Sequence, residues 1–406
     1  MKKKKPEIRF NGFEGEWEKD NAVYIFETYY DKNHPNLPVL SASQELGMVI
    51  RDNVGFQVQH NKENEVGYKR VLPGQFVIHL RSFQGGFAHS MVEGITSPAY
   101  TVMQFKKSSK QDDIYWKYVL TSKTFIKRLE TVTYGIRDGR SISFEDFSEL
   151  NFTFPTISEQ EKIGLFLTTL DKLIAKLEAK LDKLRKLKQA LLEKMFVNVN
   201  GGGKTPEIRF KGYTDKWEVK ELREVLSESI IYGLNAKAIT YDGTNKYLRI
   251  TDIDDDTREF RQDNLTSPDI KEPAEVYKLT TNDIVLARTG ATVGKSYLYE
   301  AKVGTTFFAG FLLRARVSEQ YDANFVFSTT LTRQYKAFVR ESSQRSSQPG
   351  INAREFSSYS FSLPCLSEQK QVGKALKNIG ISIKTIDVKL TKLRNIKQSL
   401  LQKMFA

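Results

Sequence analysis

Three groups of residues in the sequence have types and spacings that could do chemistry. Gly290-Ala-Thr-Val-Gly294-Lys295-Ser296 has the composition of a phosphate loop, where glycines let the backbone approach a nucleotide and lysine reaches its terminal phosphates. The spacing is one residue short and no second acidic magnesium motif accompanies it, so the stretch reads as a glycine-rich basic loop between strands. Pro268-Asp269 with Glu300-Ala301-Lys302 has the residue types of a nuclease metal site, in which clustered carboxylates hold Mg²⁺, but so short a pattern arises by chance. The Asn/Asp-Pro-Pro-aromatic signature of amino-methyl transfer is missing, because the sequence contains no Pro-Pro pair. His34, His60, His79 and His89 lack ligand spacing, and the single Cys365 excludes an intramolecular disulfide framework or a multi-cysteine zinc site. No catalytic, cofactor-binding or metal-ligating set is therefore assigned to this chain.

What remains is a chemistry of recognition. A formal net charge of +13 over 406 residues calls for an anionic partner, nucleic acid or an anionic membrane. No apolar run approaches the roughly 18 residues of a bilayer span, and Met-Lys-Lys-Lys-Lys is followed by Pro6-Glu7 rather than an apolar signal core. A cytoplasmic, nucleic-acid-binding protein is the expectation. Arg137-Asp-Gly-Arg140 and Arg345-Ser-Ser-Gln348-Pro-Gly350 each follow a predicted helix and precede a strand. Gln344, Gln348 and Asn352 can make paired hydrogen bonds to adenine, arginine can do so to guanine, and lysine mostly positions phosphate. With Arg81, Arg288 and Lys295, these are the candidate DNA-contacting side chains. Solvated Ser-, Gln- and Gly-rich turns would have the same composition.

The elements that must position these loops come from a duplication. Residues 5 to 18, K-P-E-I-R-F-N-G-F-E-G-E-W-E, return at 205 to 218 as T-P-E-I-R-F-K-G-Y-T-D-K-W-E. Pro155 to Phe196 returns at a constant offset as Pro364 to Phe405, with Ser158-Glu159-Gln160 matching Ser367-Glu368-Gln369 and Gly164 matching Gly373. Within each copy, apolar residues recur at alternating four- and three-residue steps, the heptad of a long paired helix. The first seam includes Ile163, Leu167, Leu170, Ile174, Leu177, Leu181 and Leu184; the second includes Leu376, Ile379, Ile383, Ile386, Leu390 and Leu393. Ser158 is expected to cap the first helix, which would run about 58 Å at 1.5 Å per residue.

The expected organisation is α+β, with two globular mixed units at 1–154 and 205–363, long helices at 155–197 and 364–406, and a Gly-rich joint at 198–204. Strand character is expected over Val71–Leu80, Ala99–Phe105, Asn151–Phe154, Leu279–Ala287, Thr305–Val317 and Tyr359–Leu363, and helix over Asp112–Leu129 and Asp322–Val339. Lys188 and Lys397 break the seams at matching positions. Parallel, in-register pairing would set these like charges face to face, whereas antiparallel pairing sends them to opposite ends, so an intramolecular antiparallel pair is predicted, with homodimerisation the alternative.

With both Ser-Glu-Gln helices, both Pro-Glu-Ile-Arg-Phe openings, Arg288-Thr-Gly-Ala-Thr-Val-Gly294-Lys295 and Gln348-Pro-Gly-Ile-Asn352 in view, the chain resembles the specificity subunit of a type I restriction-modification system over nearly its whole length. The order of the motifs carries this resemblance more than any one of them. It implies a non-catalytic reader of a bipartite double-stranded DNA site, with a helical spacer. It also implies recruitment of two modification subunits and, through them, restriction subunits. S-adenosylmethionine, ATP and Mg²⁺ would belong to those partners. The first half departs from the pattern, with Arg81-Ser-Phe-Gln-Gly-Gly86 where the second has the Arg-Thr-Gly series. A coiled-coil scaffold that binds nucleic acid without sequence preference is the alternative reading.

Overall fold

A computed structural model of the chain describes residues 5–43, 46–54, 62–79, 86–129, 142–199, 205–270, 274–344 and 349–405. It divides into two compact units, Met1–Leu177 with Leu390–Ala406, and Glu178–Lys389. Helix and sheet are mixed in both.

In the first unit the elements used below are β1 (Glu18–Asn21), β2 (Phe26–Tyr29), β3 (Phe76–Ile78), β4 (Phe87–His89), β5 (Thr101–Phe105), α1 (Asp113–Leu120), α2 (Lys123–Leu129), α3 (Phe144–Ser148) and β6 (Asn151–Phe154). The long helix α4 (Ile157–Lys194) begins in this unit. The second unit has β7 (Glu218–Glu221), β8 (Ile231–Tyr232), β9 (Asp283–Ala287), β10 (Ser296–Leu298), β11 (Leu312–Arg316), α5 (Ala323–Thr329), α6 (Arg333–Ser343), α7 (Ala353–Ser357), β12 (Ser360–Leu363) and the start of α8 (Leu366–Lys403). The two units share one topology. An antiparallel sheet of order β2-β5-β3-β4 in the first matches β8-β11-β9-β10 in the second, and the short pairs β1-β6 and β7-β12 are both antiparallel.

The strand expectations need refinement where turns intervene. Val71–Leu80 holds two short strands, Lys69–Val71 and β3, separated by a turn at Pro73-Gly74 with Gly74 at φ +86°; Leu80 lies outside the described residues. Likewise Thr305–Val317 holds Thr306–Phe308 and β11, joined by a turn in which the Leu312 N–H donates to Ala309 O (2.8 Å). The helix expected over Asp112–Leu129 is two, because Ser122 ends one turn and starts the next: its Oγ donates to Val119 O (2.8 Å) and accepts from Phe125 N (3.1 Å). Thr332 does the same between α5 and α6, accepting from Tyr335 N (3.3 Å). Ser158 lies inside the first turn of α4, which starts one residue earlier, so it is not the cap.

The heptad residues are buried at Ile163, Leu167, Leu170, Ile174 and Leu181 in α4 and at Leu376, Ile383, Ile386 and Leu390 in α8, while Leu177, Leu184, Ile379 and Leu393 are half-buried. Each fully buried side chain contributes about 1.5–3 kcal/mol of apolar transfer. In the first unit Ile163 and Leu167 share a core with Met404, edged by Leu400, Leu401 and Phe405. In the second, Leu192 and Met195 share a core with Val372 and Leu376. Low numbers in one helix thus meet high numbers in the other within each unit, the antiparallel arrangement, and Lys188 and Lys397 fall in different units.

The repeated motifs are the fastenings between helix and globular segment. Glu159 is fully buried at the start of α4 and accepts two hydrogen bonds from Arg9, Nε to Oε1 and Nη2 to Oε2, both 2.7 Å. Arg209 grips buried Glu368 in the same bidentate way, both at 2.8 Å. Gln160 accepts from Asp112 N (3.0 Å) and donates to Pro155 O (2.8 Å); Gln369 accepts from Asp322 N (3.0 Å) and donates to Pro364 O (2.8 Å). Asp112 and Asp322 are in turn the N-caps of α1 and α5. Gly164 is required by this packing, since a Cβ there would lie 2.8 Å from Asp112 Oδ1; Gly373 faces Asp322 Oδ1 still more closely. Finally the openings cap helix ends: Glu7 and Ile8 N–H donate to Lys403 O (2.9 and 3.1 Å), and Ile208 N–H donates to Lys194 O (2.9 Å).

Candidate nucleic-acid interface

In the second unit the central strand β9 is buried along its whole length. Its first residue, Asp283, is fully buried and anchored by Arg316, Nε to Oδ1 at 2.7 Å and Nη2 to Oδ2 at 3.0 Å. The strand therefore delivers the loop that follows it, Arg288 to Gly294, from a fixed base. That loop is closed by glycines in the left-handed region, Gly290 at φ +76° and Gly294 at φ +80°. A Cβ on Gly294 would stand 2.6 Å from a Val339 methyl of α6.

The two stretches singled out in this half of the sequence are joined. Thr289 and Gly350 form an antiparallel bridge, Gly290 N–H donates to Pro349 O (3.0 Å), and Ile351 N–H donates to Arg288 O (2.9 Å). Arg288 is further held by its own N–H to Phe311 O (3.1 Å) and by Nε to Gly310 O (3.2 Å). Its guanidinium carbon lies 5.1 Å from the Tyr232 ring, a cation-π contact. The terminal nitrogens make no hydrogen bond among the described residues. Tyr232 is 45% exposed, so the cation lies against accessible aromatic surface, and Phe311, whose carbonyl holds the Arg288 N–H, is 62% exposed. A planar donor fixed at its root, with free Nη groups at its tip, is suited to a guanine edge or a phosphate.

Asn352 is exposed beside this zipper as the N-cap of α7, its Oδ1 accepting from Glu355 N (2.9 Å), while Glu355 Oε2 accepts from Asn352 N (2.9 Å). Its amide oxygen is thus committed to the helix. Gln344 is exposed at the C-terminal end of α6. Lys295 does not join the surface. It is 7% exposed, its Nζ donates to Ile253 O (3.0 Å), and it pairs with Asp255 Oδ1 at 2.5 Å. Its charge serves to hold the 253–255 segment. Arg345 and Gln348, and Arg81, Arg137 and Arg140 in the first half, lie outside the described residues.

Sequence reasoning missed Tyr232 and Phe311, because an aromatic residue is ordinarily scored as core. The available signal was the glycine beside each, Gly233 and Gly310. Gly233 allows close backbone approach, since a Cβ there would run into the Ala309 carbonyl. In the first unit a comparable exposed aromatic is Tyr30, 69% exposed, with Lys32 Nζ 5.0 Å and Lys69 Nζ 5.9 Å from its ring. Beside it Arg70 bonds Glu93 (2.8 and 2.6 Å to Oε1) and Asp31 (3.2 Å), a network that stiffens the strand ends. Among the described residues no group of three or more His, Cys, Asp or Glu is placed to hold a metal ion, and no helix is long and apolar enough to cross a membrane. Of the nuclease-like pair, Glu300 is engaged by Lys302 (2.5 Å) and Lys377 (2.8 Å).

Comparison with known proteins agrees with this architecture. A crystal structure of a type I restriction-modification S subunit from M. genitalium aligns over 99% of both chains with a TM-score of 0.65 at 16% identity, a shared fold. The HsdS subunit from Thermoanaerobacter tengcongensis aligns over 96% of both at a TM-score of 0.44 and 14% identity. In sequence, the specificity subunit of the type I restriction enzyme MjaVIII from Methanocaldococcus jannaschii is 27% identical over 137 residues, 33% of this chain and 31% of that protein. The alignment thus spans about a third of that relative's length. The family model for the type I restriction modification DNA specificity domain matches twice, at residues 24–186 and 214–395. Two copies of that domain occupy most of the sequence, and the chain belongs to the type I restriction-modification DNA specificity family.

Proposed function

We propose that this chain is the non-catalytic reading subunit of a type I restriction-modification complex, each globular segment recognising one half of a bipartite site in double-stranded DNA. One observation carries the reading: two units share a sheet order, helix framework and fastenings, yet differ in the sequences that connect these elements. A common frame with private loops suits two different half-sites. In the second segment Arg288, resting against Tyr232, is the side chain best prepared to contact DNA, and Asn352 and Gln344 are further candidates. Arg81, Arg137, Arg140, Arg345 and Gln348 remain candidates on the loops. Two modification subunits and, through them, restriction subunits are the protein partners. S-adenosylmethionine, ATP and Mg²⁺ act in those partners, and the complex works in the cytoplasm. The domain limits 1–154 and 205–363 are the exchangeable readers, and the paired helices govern the number of unread base pairs between half-sites.

The test starts by co-expressing the chain with its modification subunits and sequencing methylated adenines to identify the site. Arg288→Ala is then expected to weaken binding to the identified duplex by about tenfold to a hundredfold, the equivalent of a lost bidentate base contact of about 1–3 kcal/mol, with little change on random duplex at the same salt. Equal loss on both duplexes would assign Arg288 to phosphate and favour the non-specific scaffold.

A further inference from the structure

The two lysines that interrupt the heptads have been given different surroundings. In the first unit Lys397 Nζ pairs with Asp171 Oδ1 at 2.5 Å, and Tyr118 OH donates to Asp171 Oδ2 at 2.8 Å. The Tyr118 side chain is buried and packs beside the lysine, its ring centre 5.7 Å from Nζ. Carboxylate and ring together fill the space and neutralise the charge. In the second unit the constant offset that aligns the helices puts Gly380 where Asp171 stands, and the shared N-caps Asp112 and Asp322 align Tyr118 with Ser328. Both partners of the lysine have been removed at once.

What replaces them is a cleft of about 720 Å³ bordered by Lys188, Gly380 and Ser328. This volume falls in the range of about 300–1,000 Å³ found for small-molecule pockets. Its walls carry twice as many cations as carboxylates. Of the carboxylates, Asp255 is paired with Lys295 (2.5 Å), Glu300 with Lys302 and Lys377, and Glu259 with Lys384. Asp256, at the exposed edge, is the one left without an ion pair among the described residues. Lys246 gives its ammonium to Gln262 Oε1 (2.7 Å) and Val303 O (2.6 Å), which bond the charge without cancelling it. The side chains of Lys188, Arg258 and Lys336 have neither hydrogen bond nor ion pair among the described residues, and Arg185 reaches Asp387 only at 3.9 Å. Arg258 is held at φ +60°, a backbone conformation uncommon for an arginine. Burial holds the Lys188 ammonium below the ordinary lysine range, and Arg258 adds to that while Glu259 opposes it. Like charges gathered in a half-enclosed space favour a bound anion.

We propose that the cleft beside Lys188 in the second unit binds a phosphate-bearing anion no larger than a nucleotide, at the place that Asp171 and Tyr118 fill in the first unit. The half-buried position of Lys188 favours a small ligand over the backbone of a duplex. The site is separate from the Arg288 surface and stands whether or not that surface reads DNA.

The experiment uses the full chain and its own internal control. Inorganic phosphate, pyrophosphate and ATP are titrated by calorimetry and by thermal melting at constant ionic strength, with adenosine and chloride as controls. Pyrophosphate is expected to bind with about one equivalent per chain and to raise Tm. A stronger response to ATP than to pyrophosphate would identify a nucleotide as the preferred form, and equal responses a free phosphate, both supporting the site. Gly380→Asp restores the missing carboxylate; a Cβ at this position would meet only Lys188 Nζ, at 3.9 Å, so there is room for it. This variant is expected to lose the anion response by at least tenfold in Kd while melting higher than the parent in anion-free buffer. Gly380→Ala gains helix propensity alone and should keep the response. Unchanged anion binding in Gly380→Asp, the same stabilisation by chloride, or protection by duplex DNA alone would overturn the proposal.

Discussion

At the scale of the residue, one heptad position occupied by lysine in both helices has opposite energetic consequences. Lys397 is satisfied by Asp171 across the helix pair, and Lys397→Met is expected to lower stability by about 1 kcal/mol, because it leaves that carboxylate with Tyr118 alone. Lys188→Met is expected to raise stability by about 1 kcal/mol in phosphate-free buffer, since it removes a half-buried charge without an ion pair among the described residues. The pH dependence has a definite sign. The folded chain holds the Lys188 proton less readily than the unfolded chain does, so stability is reduced near neutrality and recovers as pH rises through the depressed folded value towards 10.5. Urea denaturation from pH 7 to 10 should therefore show a smaller gain for Lys188→Met than for the parent; equal slopes would contradict this. Asp254 behaves in the opposite sense. Burial would raise its carboxyl, but the Thr257 N–H and Arg261 prevail and hold it at about 2. Its stabilisation is complete above the ordinary carboxylate value of 3.8 and is lost as pH falls towards 2, a loss that Asp254→Asn should remove.

At the scale of the element, Ser-Glu-Gln and the glycine four residues after Gln form one device that fixes a helix start to the helix cap beside it. Glu159→Ala should cost about 2–3 kcal/mol by leaving the Arg9 guanidinium without its bidentate partner, and Glu368→Ala a similar amount in the other unit, both measurable by urea denaturation. The long helices were legible in the sequence because a heptad is a local, periodic pattern, and the duplication displayed it twice. The breaks at Ser122 and Thr332 were less legible, since a hydroxyl that caps a new helix looks in sequence like one tolerated within it. The candidate loops were found by composition, but composition does not say which cation is spent internally. Lys295 and Arg288 stand seven residues apart in one glycine-rich stretch; one is buried against Ile253 and Asp255, the other has free Nη groups near exposed Tyr232. The bridge from Thr289 to Gly350 joins positions more than sixty residues apart, which no local pattern encodes.

At the scale of the whole molecule, both reading and spacing become testable by rearrangement. Exchanging residues 205–363 for those of another family member should change one half of the methylated site and leave the other. Inserting one heptad into both α4 and α8 should change only the number of base pairs between the halves, read by sequencing methylated adenines; an unchanged spacer would exclude the helices as its determinant. The openings at residues 5–10 and 205–210 have a further consequence. Glu7 and Ile8 close the end of α8, and Ile208 closes the end of α4, so each opening caps the helix that belongs to the other copy. The hydrogen bonds of Glu7 and Ile8 to Lys403 in the first unit and of Ile208 to Lys194 in the second are therefore equivalent fastenings, one of them next to the covalent joint at 198–204. A circular permutant cut within 200–204, with its original ends linked by a few glycines, should fold and retain the same sequence preference, because every fastening it needs is made without regard to where the chain was opened.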